Sequence, residues 1–340
     1  SAHDMCTNLK PPRYIVKKYI EEETTTVWFG ESGNLKSFLA LELGVVVAAG
    51  QQWAGCDTEQ GPTVYLCGEG HGGIARRLAA CLKQRGISPD AVPFFVSDTA
   101  ADFSDTRSVN ALTSEIQHLV SAAGPLRLLI VDTLAANFGA GDENSTKDMG
   151  LFLQNIIRMR HALGCAALII HHSGHGDKSR ERGAYVLPGG VDARFRIDRE
   201  GMSVCLRRPL KMKDGEPPPD TWFASKVVQV GVDEDLNPIT SLTLTHDPFF
   251  RPEAKAVKLG ENQQFLADAA ANGVTEDELR TRFQAWKGDR YQRQAFHRAL
   301  GQLKDAGFLV QGPESLWIST VGSLSTCQRG VNEASTVDEG

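Results

Sequence analysis

From residue 26 to residue 170 the chain alternates short apolar runs with longer amphipathic stretches. The runs at 26–29, 63–67, 94–96, 126–131 and 165–170 have the length and the aliphatic or aromatic content of buried strands. The stretches at 38–49, 73–84, 109–122 and 146–163 read as amphipathic helices. Such alternation predicts an α/β fold built on a mostly parallel, twisted sheet. At 194–198, 203–207, 222–230 and 240–245 short alternating strands follow, with turns at Lys213-Asp214-Gly215 and 233–237, and these predict hairpins that extend the same sheet. Beyond Pro248 and Pro252, helical patterns at 261–271, 275–283 and 291–306 precede two short strands, 308–311 and 316–319, around Gly312-Pro313. Thr275 with Glu278 makes a capping box. Three helices and a small hairpin predict a small C-terminal winged-helix domain. The expected organisation is an N-terminal approach segment at 1–26, the α/β domain at 27–246, a linker at 247–260, the winged-helix-like domain at 261–320 and a disordered tail at 321–340.

Composition narrows the classes. A hydrophobic share of 41% and a charged share of 23% suit a globular protein, and no apolar run reaches a membrane span of roughly 20 residues. No membrane partner is expected. Seven cysteines without a C-x-x-C pair predict reduced thiols and a cytoplasmic setting. With a net charge of -6 the surface as a whole is no nucleic-acid footprint, so any DNA contact must come from local basic loops. The start, Ser1-Ala2-His3-Asp4-Met5, reads as an excised fragment or a cloning scar.

The first apolar strand runs into Gly30-Glu31-Ser32-Gly33-Asn34-Leu35-Lys36-Ser37-Phe38 and then into a helix. A phosphate-binding loop has this build, because backbone N–H groups and the positive end of a helix face the β- and γ-phosphates. Lys36 adds a point charge on those phosphates, and the Ser37 hydroxyl can hold Mg2+. The usual pattern places glycine before the lysine, where this chain has Leu35. An ordinary strand-to-helix turn with a solvated lysine is the competing reading.

Other strand ends carry polar residues, where ligands gather in a parallel sheet. Asp132 closes the run Leu128-Leu129-Ile130-Val131 and is placed to hold magnesium through a water; alone, it reads as a turn cap. Glu69 stands in a glycine-flanked turn after 63–67, where a carboxylate can polarise an attacking water; a solvated turn glutamate is the alternative. Arg76 and Arg77 behind it read equally as surface residues. His171-His172-Ser173-Gly174-His175 follows the run at 165–170 and can sense a γ-phosphate, whereas a zinc site lacks a distant ligand pair. The long loop at 176–190 carries Lys178, Arg180 and Arg182, which are either a functional set or solvated. Asp142-Glu143-Asn144 suits a helix amino end. The basic turn with Arg207, Lys211 and Lys213 could supply transition-state charge to a neighbouring subunit, or be a solvated turn.

These pieces, in this order, resemble the RecA-type P-loop ATPases, and most closely the RepA-like hexameric helicase group of plasmids and phages. The resemblance covers about residues 10–246. It rests on Gly30 to Ser37, Tyr65 to Glu69, Leu128 to Thr133, Gly141-Asp142-Glu143-Asn144-Ser145, His171-His172-Ser173-Gly174, Arg182-Gly183 and Lys211-Met212-Lys213-Asp214. It implies a RecA-like core that binds ATP and Mg2+, with Gly30, Ser32, Gly33, Asn34, Leu35, Lys36, Ser37 and Phe38 around the nucleotide. It further implies Ser37 and Asp132 at the metal, Glu69 as base, His172 as sensor, and Lys211, Lys213 or Arg207 as the trans-acting finger. Members form rings, usually hexamers, on single-stranded DNA, and are often joined to a primase. In such a ring Lys178, Arg180 and Arg182 would face the strand. Arg290, Arg293 and Arg298 on the third C-terminal helix add a possible DNA contact, with a protein-interaction surface as the rival. A DNA-binding regulator or loader that does not unwind, and a nucleotide-binding scaffold that does not hydrolyse, remain as alternatives.

Overall fold

The computed structural model describes residues 1–7, 11–173, 186–250, 259–305, 308–312 and 316–319. The chain forms two compact units, Ser1–Arg251 and Pro252–Gly340.

In the larger unit, the helix α1 (Ala2–Thr7) and the small hairpin β1 (Tyr14–Val16) and β2 (Ile20–Glu21) come first. The core follows as β3 (Thr25–Gly30), α2 (Lys36–Ala49), β4 (Thr63–Cys67), α3 (His71–Arg85), β5 (Phe94–Val96), α4 (Thr106–Val120), β6 (Leu128–Asp132), α5 (Thr146–Leu163) and β7 (Ala166–His172). A short helix α6 (Val186–Gly190) occupies the end of what the sequence presents as a loop. Then come β8 (Ala193–Glu200), β9 (Ser203–Leu206), β10 (Lys211–Met212), β11 (Thr221–Val232) and β12 (Pro238–His246).

The core strands join one ten-stranded sheet in the order β12-β11-β9-β8-β3-β7-β6-β4-β5, with β10 paired to β8. From β8 to β5 the pairing is parallel; β9, β10, β11 and β12 attach antiparallel. The predicted mostly parallel sheet with a hairpin extension is therefore present.

Side chains alternate between the two faces of each strand. Trp28, Tyr65, Ile130 and Ile170 enter one core with Leu39, Leu43 and Val46 of α2. Val27, Phe29, Val64, Val131 and Ile169 enter a second with Ile116 of α4 and Phe152, Ile156 and Met159 of α5. Each fully buried side chain of this size contributes about 1.5–3 kcal/mol. Strands buried on both sides need apolar residues at consecutive positions, which explains the unbroken runs. Gly44 lets α2 lie close to the sheet, since a Cβ there would come within 2.8 Å of Ile130 Cδ1 and of the Phe94 ring.

Loop chemistry sets the helix starts. Asp105 caps α4 by accepting from the Arg107 and Ser108 N–H groups, and Ser145 caps α5 by accepting from Asp148 N–H. Part of the segment at 1–26 packs into the larger unit: Ile15, Val16, Tyr19 and Ile20 are buried in the first core, and the Tyr19 hydroxyl lies 2.8 Å from Thr221 Oγ1. Burial pushes the thiols of Cys81, Cys165 and Cys205 up to about 12, so they are poor nucleophiles. No helix among the described residues is long and apolar enough to cross a membrane.

The smaller unit contains α7 (Glu261–Ala269), α8 (Glu276–Lys287), α9 (Arg293–Asp305) and an antiparallel pair, β13 (Leu309–Gln311) and β14 (Trp317–Ser319). Its own core gathers Leu266, Leu279, Phe283, Phe296, Leu300 and Leu303. The Thr275–Glu278 capping box forms as predicted.

Candidate functional site

The carboxyl ends of β3, β4, β6 and β7 open into a cleft of about 260 Å³ lined by Lys36, Ser37, Glu69, Asp132, Thr133 and His172, among others. Sequence order and space differ here in a way that creates it. From β3 the chain crosses β7 and β6 to reach β4, so loops from neighbouring strands diverge around the cleft.

The strand β8 shapes the loop at 30–37. A Cβ at Gly30 would sit 2.3 Å from the Ile197 carbonyl oxygen, so glycine alone fits between the strands. Asn34 Nδ2 donates to that same oxygen at 2.9 Å, and Arg199 Nη1 donates to Gly33 O at 3.2 Å. Gly33 takes φ 84° and Leu35 takes φ 59° with ψ 26°. Leu35 thus adopts the left-handed conformation that glycine favours, at a cost of about 1–2 kcal/mol, while its side chain packs against the first core. The helix begins at Lys36, two residues earlier than its periodicity suggests, and has no side-chain cap. Its first N–H groups therefore carry no side-chain cap, the condition that an anion site at a helix start requires.

Lys36 is buried and folds over the loop. Its Nζ donates to Glu31 O at 2.8 Å and Gly30 O at 3.0 Å, and lies 3.4 Å from His172 Nδ1. Burial pushes its ammonium down to about 8, against the Asp132 and Glu69 carboxylates that hold it up. Ser173 N donates to Gly30 O at 3.1 Å, which ties the end of β7 to the same loop.

Asp132 is 6% exposed. Burial raises its pKa above the usual carboxylate range, and the Tyr65 and Ser37 hydroxyls, then Lys36 and Arg77, pull it back. The Tyr65 hydroxyl donates to Oδ2, whereas Oδ1 is buried without a hydrogen bond of normal geometry. An acceptor oxygen in this condition beside a hydroxyl suits a hard divalent cation, so Asp132 and Ser37 fit Mg2+. Glu69 is exposed at the cleft's edge, where its Oε1 accepts from Thr133 Oγ1 at 3.0 Å.

Ser32, Gly33, Leu35 and Phe38 also line the cleft. Arg77, read from sequence as possible surface, stands in it, with its guanidinium 4.8 Å from the centre of the Phe38 ring. Tyr65, Thr133 and Arg199 were not singled out as site residues. A tyrosine inside an apolar run was a usable signal, because a buried hydroxyl needs a partner.

The basic turn lies outside the cleft lining, and its cations are engaged within their own chain. Arg207 donates to Asp198 and Asp220 at 2.8 Å each. Burial works against its charge, but those two carboxylates outweigh it and hold its pKa above the ordinary value. Lys211 Nζ donates to Pro188 O and Gly189 O, and Lys213 Nζ pairs with Asp192 at 2.7 Å. Lys178, Arg180 and Arg182, with Gly174 and His175, lie outside the described residues. Among the described residues no group of three or more His, Cys, Asp or Glu side chains could hold a metal.

A mostly parallel α/β sheet with this strand-loop-helix turn is the architecture of a P-loop ATPase domain. The model of the AAA_25 family, described as an AAA domain, matches residues 1–178, and the chain belongs to that family. Among solved structures, the crystal structure of the RadB recombinase is similar with a TM-score of 0.44 and 15% sequence identity, over 60% of this chain and 87% of that one. A comparison with curated proteins finds no match.

Proposed function

We propose that the chain hydrolyses ATP at the cleft described above and uses the energy to move along single-stranded DNA, as the motor module of a RepA-like helicase in plasmid or phage replication. The carrying observation is that Lys36, Ser37, Glu69, Asp132 and His172, from four strand ends, converge on one cleft. Gly30, Ser32, Gly33, Asn34, Leu35, Lys36, Ser37 and Phe38 surround the phosphates. Ser37 and Asp132 would hold magnesium, which would supply charge neutralisation to the bound phosphates.

Glu69 accepts a proton from the attacking water as its oxygen bonds to the γ-phosphorus and the bond to the ADP oxygen breaks. The Thr133 hydroxyl bond supports this carboxylate in position. His172 lies beside Lys36 and reports the γ-phosphate to the segment that follows, where Lys178, Arg180 and Arg182 meet the strand. Work in a ring, a hexamer in this reading, lets Arg207, Lys211 or Lys213 of one subunit reach a neighbour's cleft. Residues 261–320 act as a winged helix, and a primase domain or another replication protein is a partner.

An ATPase assay with and without single-stranded DNA, run beside native mass measurement, tests this. Hydrolysis should rise with DNA, vanish in Lys36→Ala and fall at least about a hundredfold in Glu69→Gln. DNA-independent turnover, or a monomer in the presence of ATP and DNA, would overturn the motor reading. Strand displacement separates it from a loader.

A further inference from the structure

The hairpin of β11 and β12 runs past the end of β9. β11 pairs with β9 only from Thr221 to Ala224, whereas its pairing with β12 continues to Val232 and Pro238. The tip of this ribbon is firmly built. The Asp233 carboxylate accepts from the N–H groups of Asp235 at 3.0 Å and Asn237 at 2.8 Å, and Asp233 N donates to Asn237 O at 2.9 Å. On that frame Leu236 takes φ 63° and is 80% exposed. Glycine takes this conformation freely and asparagine at little cost, whereas leucine is strained in it. Neither backbone preference nor packing within the chain calls for a leucine here, and strain of this kind gathers at functional positions. Val232 beside it is 52% exposed.

The tip also carries one sign of charge. Between Lys226 and Arg251 the sequence has no lysine or arginine and a single histidine, His246, against Asp233, Glu234, Asp235 and Asp247. Glu234 and Asp235 are exposed, and among the described residues their carboxylates form no ion pair.

A complementary feature lies just behind the tip. A groove of about 500 Å³ opens between α3 and the hairpin, lined by Ala75, Arg76, Ala79, Val230, Gly231 and Ile239, among others. Arg76 is exposed at its rim, and among the described residues its guanidinium has no hydrogen bond or ion pair. Lys83, seven residues further along α3 and so on the same side of the helix, donates to a carbonyl, Gln229 O, at 2.9 Å. An apolar tip with acidic flanks therefore stands beside an apolar groove with a basic rim.

We propose that this hairpin docks on a second copy of the chain. Leu236 and Val232 of each copy seat in the groove of the other, and Glu234 and Asp235 meet Arg76 and Lys83. Tip and groove lie side by side on one surface, so the exchange is reciprocal and closes as a two-fold pair. The chain supplies both complementary halves, which is what makes it its own partner. A ring needs head-to-tail contacts instead, so this pairing goes beyond the motor reading and does not rest on it. It shares no lining residue with the ATP cleft. Two tips and two grooves make a small interface, below about 1,200 Å², with a Kd in the micromolar range.

Sedimentation velocity of the full chain without nucleotide or DNA, from about 1 to 300 μM, tests this. The intact chain should pass from monomer to dimer. Leu236→Asn should keep or raise the melting temperature, because asparagine accepts the left-handed conformation, yet weaken pairing at least about tenfold. Arg76→Glu should weaken it by a similar factor, and Arg76→Glu combined with Glu234→Arg and Asp235→Arg should bring the Kd back to within about threefold of the parental value. An intact chain that stays monomeric at the highest concentration would overturn the proposal and leave the tip to a different protein. So would Leu236→Asn or Arg76→Glu chains that pair with the parental Kd. Leu236→Asn should retain DNA-stimulated ATP hydrolysis; absence of that stimulation in the intact chain would count against the motor reading and not against the pairing.

Discussion

At the scale of the residue, Lys36 carries the sharpest consequence. Its ammonium titrates at about 8 because it is buried. Anionic phosphates would raise that value, so binding takes up a proton above pH 8. Nucleotide affinity should stay flat below about pH 8 and fall above it, by up to about tenfold per pH unit. Titrations between pH 7 and 9.5 would show this, and Lys36→Arg should flatten the profile. Stability has the opposite sign. The folded value lies below the unfolded 10.5, so the cost of the buried charge is fully present below about pH 8. As pH rises from there to 10.5 the cost is relieved, and this one residue favours folding more.

Leu35 is the other informative residue. Leu35→Gly should relieve about 1–2 kcal/mol of left-handed strain while losing a similar amount through apolar burial and greater freedom of the unfolded chain. Urea unfolding should therefore move by no more than about 1 kcal/mol, with nucleotide binding kept. A much larger loss would mean that the leucine side chain, rather than its backbone, holds the loop. The missing glycine was legible as a departure from pattern; that leucine would take up glycine's backbone geometry was not, because propensity disfavours it. Arg77 escaped for a related reason. A polar position facing a cleft looks the same in sequence as one facing solvent.

At the scale of the element, the parallel strands were the most legible, since burial on both faces prints continuous apolar runs such as Leu128 to Val131. The hairpin β1–β2 was not, because its buried positions come in pairs around a turn at Lys18, too short for any period to show. A buried polar tie between α2 and α3 was equally invisible. Glu42 is 1% exposed on α2, forms an ion pair with Arg85 at the end of α3 and accepts from Trp53 Nε1 at 2.5 Å. Its partners lie 11 and 43 residues away, beyond any local pattern. Arg85→Met would leave the carboxylate buried with one donor fewer. Because the Arg85 side chain keeps 22% exposure, the loss should lie toward the lower end of about 3–5 kcal/mol. Glu42→Leu combined with Arg85→Met should recover much of it. Denaturant unfolding of the three variants checks both statements, and a double variant no better than the single would remove the stranded charge as the cause.

At the scale of the whole molecule, charge and core are both partitioned. A net charge of -6 coexists with a basic stretch from Arg290 to Lys304 that Asp289 and Asp305 flank, so the chain's overall sign does not describe each element. The cores divide in the same way. Among the described residues none beyond Leu244 is buried in either core of the sheet, and the buried residues of the third core begin at Leu266. Every residue of the cleft belongs to the unit Ser1–Arg251. Separate cores should melt as separate cooperative steps. Calorimetry of the full chain should then show two transitions, of which Mg-nucleotide at a hundred times its Kd moves only one. Mass action supplies about 2.7 kcal/mol at that concentration, which for a unit of this size amounts to an upward shift of roughly 5–10 °C. If nucleotide raised both together, the two units would be one thermodynamic body, and energy released at Lys36 would have a direct route to the helix that carries Arg298.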